Sequence, residues 1–327
     1  MNKTILILAI LAASAAASAA LAADPSYAVT RRLDLGAPSR WDYTAIDQVR
    51  QRLYVTRGDR VDVLALPAGT PVGSIASTQG VHGVAFAQDL RIGFTSNGKS
   101  NTVTVFELES LKPIAEIAVK GQNPDAILYV PEAGKVYVFN GKTASYDVID
   151  AKTLQLIASG ATTGRPESAV SDGQGRVYFN IEDHPGINVI DTASDKVVAT
   201  WTLAGCTEPT GLAIDPINAR LFSTCQNRIM AVTDSRTGKR VTQFAIGEHP
   251  DVAVFDASSK TVLSSDGGGQ GTLSITHQDG PDHYTALPNM ATVKGAKTMA
   301  MDSVTKTVYL PSVVADKFVV LVAEHAK

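Results

Sequence analysis

Residues 209–247 read PTGLAIDPINARLFSTCQNRIMAVTDSRTGKRVTQFAIG, and how this stretch divides decides the fold. Four short runs stand out: GLAID (211–215), ARLFST (219–224), RIMAVTD (228–234) and RVTQFAI (240–246). Aliphatic, β-branched and aromatic residues fill the runs. Pro-Ile-Asn, a polar Gln-Asn pair and Arg-Thr-Gly-Lys separate them, so each run reads as a strand leading through a tight turn into the next. One such unit cannot bury both of its faces alone. It therefore needs neighbours, and the rest of the chain supplies them.

Aligned on its first strand, the unit recurs seven times. DYTAID with RLYVT begins at Asp42, HGVAFA with RIGFTS at His82, PDAILYV with KVYVF at Pro124, and PESAVS with RVYFN at Pro166. PTGLAID with RLFST begins at Pro209, PDVAVFD with TVLSS at Pro250, and KTMAMD with TVYLPS at Lys297. The equivalent points Asp47, Ala87, Val130, Ser171, Asp215, Asp256 and Asp302 are 40 to 46 residues apart. Four strands at that period predict an all-β, seven-bladed β-propeller of four-stranded blades. The last repeat lacks a fourth strand. Residues 27–35 (YAVTRRLDL) have fourth-strand character and are expected to complete that blade, closing the ring and protecting the sheet edges.

These repeats resemble the YVTN-type seven-bladed propellers, the YncE-like family of exported bacterial proteins. The resemblance rests on RLYVT (52–56), KVYVF (135–139), DVIDAKTLQLIA (147–158), NVIDTASDKVVAT (188–200), TLAGCTEPTGLAIDPINARLF (202–222) and KGAKTMAMDSVTKTVYLPS (294–312). It runs from residue 27 to the C-terminus. It implies a fold and an exported location but no activity, because propellers host many functions.

Composition agrees with a large globular domain: of 327 residues, 44% are hydrophobic and 19% charged. A formal net charge of -3 gives no global attraction to nucleic acid or anionic lipid. Residues 1–23 read as a signal peptide, with Lys3, an apolar core over 5–11 and Ala20-Leu21-Ala22 before the cut. Residues 24–327 are then a single propeller domain, exported to the periplasm or secreted, monomeric and without a membrane span. Export makes a disulfide the preferred reading of Cys206 and Cys225; a metal or redox pair and two free thiols are the alternatives.

The loops entering each blade's inner strand share one end of the channel with the loops joining strands two and three. This mouth is the expected binding face. The position five before each alignment point should lie there. It holds Asp42, His82, Asp125, Pro166 with Glu167 beside it, Thr210, Asp251 and Lys297. The second-to-third-strand loops add Arg57, Asn97, Lys99, Asn140, Glu182, Asp183, His184, Gln226, Asn227, Asp266 and Ser312, and His249 precedes Pro250 at the same end. The expected ligand-binding set is Asp42, His82, Asp125, Glu167, His184, His249, Asp251 and Lys297, an acidic mouth suited to a cation or a small polar ligand. A divalent metal ion is the cofactor such carboxylates and a His would take. An architectural account stands beside this one: propeller mouths are polar anyway, because turn residues lead into the inner strands and the channel holds water.

The chain contains no G-x-S-x-G, H-E-x-x-H, C-x-x-C-H or EF-hand loop, and no catalytic residue is assigned. The glycine-rich stretch 266–271 (DGGGQG) lacks the Gly-Lys-Ser/Thr of a phosphate loop and reads as a hairpin. Arg50 and Arg52 read as solvated charge. Three functions remain. The first is a non-catalytic binding or scaffold protein offering its mouth to a small molecule or a protein. The second is a metal-assisted, lactonase-like hydrolase. The third is a single-stranded nucleic-acid binder, which the 6% aromatic content disfavours.

Overall fold

The computed structural model describes residues 27–325. It shows the seven-bladed propeller that the repeats predict, each blade an antiparallel sheet, with no helix among the described residues. The signal segment 1–23 lies outside the described residues. Closure is as expected. Tyr27–Asp34 pairs with Lys317–His325 as the outer strand of the seventh blade, from Tyr27↔His325 to Asp34↔Val319.

The turns explain why the period holds. Four alignment points are Asp, and each carboxylate accepts backbone N–H groups of the turn it opens. Asp47 Oδ1 takes Val49 and Arg50 at 3.0 Å, and Asp215 Oδ1 takes Ile217 and Asn218 at 3.1 Å. Such Asx turns reverse the chain without help from a partner. Four residues after each alignment point comes a left-handed residue in all seven blades: Gln51, Arg91, Gly134, Gly175, Ala219, Lys260 and Lys306.

The core is divided among the blade interfaces. Seven apolar clusters fill the seven junctions; Phe139 of blade three packs on Phe179 of blade four at 4.7 Å, and Tyr309 and Phe318 of blade seven meet Leu53 and Val55 of blade one. Second and third strands are buried on both faces, whereas outer strands such as Gln155–Ala161 alternate between exposed and half-buried. Two strands depart from the regular pattern. Blade six has a broken outer edge, His283–Ala286 and Met290–Ala291, both pairing with Thr272–Gly280. Blade seven keeps only Ala300–Met301 of its inner strand.

Two expectations are corrected here. Arg50 and Arg52 are not solvated: Arg50 reaches the buried Asp47 and Glu109, and Arg52 donates to Leu108 O, tying blade one to blade two. Ser312 lies within the strand Val308–Val314, not in a loop, and donates to Lys294 O.

Candidate functional site at the channel mouth

The inner strands open where the site residues sit. In blades two to five, two inner-strand residues face one residue of the second strand: His82-Gly83, Asp125-Ala126, Glu167-Ser168 and Thr210-Gly211. In blade six the extra residue is Asp251. Four of these strands begin with proline, at 124, 166, 209 and 250, a residue tolerated at a strand's first position. A β-bulge re-aims side chains, and here it turns each toward the channel.

Hydroxyl and amide side chains stitch the bulges together across the blades. Ser96 Oγ takes Gly83 N at 2.9 Å and donates to Asp125 O in the next blade. Asn180 donates to Thr210 O and Gly211 O at 3.0 Å, Thr210 Oγ1 to Pro250 O at 3.0 Å, and Ser265 Oγ to Lys297 O at 2.5 Å. Thr298 Oγ1 reaches Asp42 O at 3.0 Å, and Tyr43 N reaches His82 O at 3.1 Å. The carbonyls of the site residues are therefore fixed by the ring itself.

Six of the eight expected residues come together. His82 Nδ1 lies 2.6 Å from Asp42 Oδ2 and 3.6 Å from Asp125 Oδ1. These three ligand atoms lie within 4.8 Å of one another. Asp125 Oδ1 is buried and has no hydrogen-bond partner. Across the channel, Lys297 Nζ pairs with Asp251 Oδ2 at 2.7 Å, and Tyr43 OH donates to Glu167 Oε1 at 2.9 Å.

Electrostatics confirm how crowded the carboxylates are. Burial, then the charges of Asp42, Asp251 and Glu182, pushes Asp125 well above the usual carboxylate range. Burial, then Asp125 and Asp251, does the same to Glu167. Asp251 is raised by burial despite its bond to Lys297. Burial works against the Lys297 ammonium, but Asp251 and Asp42 outweigh it and raise its pKa. Tyr43 is raised by burial and by Glu167. Removing water from like charges disfavours ionisation, so the mouth is short of positive charge.

The other two expected residues stay outside this cluster. His184 is exposed and pairs with Asp183 at 3.3 Å, while His249 is exposed on the rim, 3.3 Å from Gln226 Oε1. Of the loop residues, Arg57 is a buried clamp: it bonds Ser39, Leu35 O, Ala37 O and Asp62, with its guanidinium 4.0 Å above the Phe318 ring. The Tyr43 hydroxyl is the participant that the sequence reading did not single out for a role; its position beside Asp42 was the only signal. The expected Cys206–Cys225 disulfide is present, buried at the same end of blade five, with a Cα–Cα distance of 5.3 Å.

No protein-family model matches this sequence, and no curated protein matches it. Solved structures do. A chain in the crystal structure of the mitotic checkpoint complex is similar over 100% of this chain and 99% of its own, with a TM-score of 0.79 and 15% identity. The structure of U3-55K covers 92% of this chain and 99% of its own at a TM-score of 0.76 and 8% identity. The crystal structure of RRP9 WD40 repeats covers 93% and 98%, again at 0.76 and 8%. At these identities the likeness concerns architecture alone, and the architecture is that of a seven-bladed β-propeller.

Proposed function

We propose that this is an exported, monomeric, non-catalytic binding protein of the YVTN-like kind, whose channel mouth captures a cationic group on a small molecule or a protein. One observation carries the reading: carboxylates from four blades, Asp42, Asp125, Glu167 and Asp251, face one lysine and one histidine in a partly buried ring. The raised pKa values of Asp125, Glu167 and Asp251 mean that an incoming cation is bound in exchange for protons and repulsion. The Cys206–Cys225 bridge is compatible with an oxidising extracellular compartment. No helix among the described residues is long and apolar enough to cross a membrane.

Native mass spectrometry of gently purified protein tests the reading. A retained cationic ligand, lost in Asp125→Asn and Asp251→Asn, supports it. Identical spectra for the wild type and both variants reject it.

A second reading is favoured by the Asp42–His82–Asp125 trio, a divalent-metal site of the kind a hydrolase uses. Donors around Zn²⁺ lie about 3.3 Å apart when bond lengths are roughly 2.0–2.1 Å. The observed spacings of 2.6 and 3.6 Å bracket that value, and the unpartnered Asp125 Oδ1 supplies a free lone pair. The residues therefore fit an ion, which would act as a Lewis acid when bound. Elemental analysis decides: less than one divalent ion per two chains after purification in metal-replete buffer ends this reading.

A further inference from the structure

The rim beside the acidic centre carries the opposite charge. A cleft of about 500 Å³ opens over blades two to four, lined by Lys99, Lys142 and Arg165 with Asn101, Gln122 and Asn123 between them. It adjoins a smaller pocket of about 210 Å³ with which it shares Lys99 and Asn123. Arg40 and Trp41 line that second pocket, and its inner wall is Asp42 and His82. The cleft thus leads from the rim to the metal-like trio.

Three features bear on what this cleft can hold. Lys99 and Lys142 line it and Arg40 lines the pocket beside it, none with an ion-pair partner among the described residues. Only Arg165 is engaged, with Glu182 at 2.8 Å. The indole N–H of Trp41 is buried without an acceptor. Finally, Gly98 lets the backbone sit directly against the two side chains that link the pockets: a Cβ there would lie 2.6 Å from Asn123 Oδ1 and 2.7 Å from His82 Nε2. Unpaired cations and amide donors around a concave surface suit a carboxylate or phosphoryl group.

We infer that this cleft is an oxyanion subsite, so that the ligand of the mouth is dipolar, its cationic group at the acidic centre and its oxyanion on Lys99, Lys142 and Arg165. The dipolar part rests on the cation reading above; the anion subsite stands without it.

The test uses inorganic pyrophosphate and citrate as probes, titrated calorimetrically into full-length mature protein at constant ionic strength. Saturable binding of either is expected, and the tighter of the two tells phosphoryl from carboxylate chemistry. Lys99→Ala with Lys142→Ala should weaken it about tenfold or more, since two charge-assisted contacts are lost. Both lysines are exposed, so an unchanged unfolding temperature shows that this variant is folded. Asp251→Asn should leave anion binding intact; if it loses a retained cationic ligand as well, both halves of the dipolar site stand. Anion binding without cation retention removes the dipolar ligand and keeps the subsite. Non-saturable titration, equal affinity in the double variant, or a preference for oligonucleotide over both probes overturns the proposal.

Discussion

The two ends of the propeller use aspartate in opposite ways. At the turn end, the carboxylates are fully occupied. Asp256 accepts from Ser258, Ser259 and Lys306, and although burial opposes it, these bonds lower its pKa to about 2. Bonds from Thr153 and Ser194 lower Asp150 and Asp191 likewise. At the mouth, Asp125, Glu167 and Asp251 are raised, and one Asp125 oxygen has no hydrogen-bond partner. The same residue type stabilises the fold at one end and is held at a cost at the other. Such frustration is the usual mark of a site rather than of a scaffold.

Four variants sharpen this contrast, the largest effect first. Replacing both Cys206 and Cys225 by serine frees the loop of 19 residues' separation that flanks the mouth, and should lower stability by about 3 kcal/mol in chemical denaturation. An unchanged midpoint would show that the mouth end needs no covalent tie. At the turn end, Asp256→Ala removes the acceptor shared by Ser258, Ser259 and Lys306 and should cost about 2 kcal/mol at pH 7. Its pKa is depressed, so the contribution is present above the usual carboxylate range and disappears as pH falls through about 2.

At the mouth the sign should reverse. Asp125→Asn removes a buried charge and should stabilise the ligand-free protein by on the order of 1–2 kcal/mol at pH 8. Because the pKa of Asp125 is raised, its protonated form favours folding below the usual carboxylate range, and that support is lost as pH rises. The gain should therefore shrink towards pH 4. A destabilised Asp125→Asn across the whole range would abolish the contrast. The smallest effect belongs to the turns: Gly134→Ala, with no atom near the new Cβ but φ at 64°, should cost about 1 kcal/mol.

The architecture was legible because it repeats. Asx turns and left-handed positions recur at fixed spacing, and an Asp at 47, 215, 256 and 302 marks the same place in four of the seven blades. The acidic mouth was legible for the same reason: the position five before the mark recurs at the same end of every blade, and in blades two, three, five and six it falls on a bulge. What distance alone decides was not legible. Nothing local to Glu167 points to Tyr43, 124 positions away. His184 and His249 share the end but not the cluster: His184 pairs with its neighbour Asp183, and His249 lies against Gln226. Arg57 occupies a loop position like Lys99, yet Phe318 and the carbonyls of Leu35 and Ala37 draw it inward. The basic cleft depends on lysines from different blades meeting, which no single repeat records.

The closing strand has one more consequence. Tyr27 and His325 are register partners, so the first and last described residues lie side by side although almost the whole ring separates them in the chain. The seam is then a matter of how the chain is connected, not of where the ring must be cut. Joining these ends with a short linker and opening the chain between two other blades would yield the same circle of sheets, with every blade covalently whole. Only the order in which the blades appear would change, and the mouth would keep its charges.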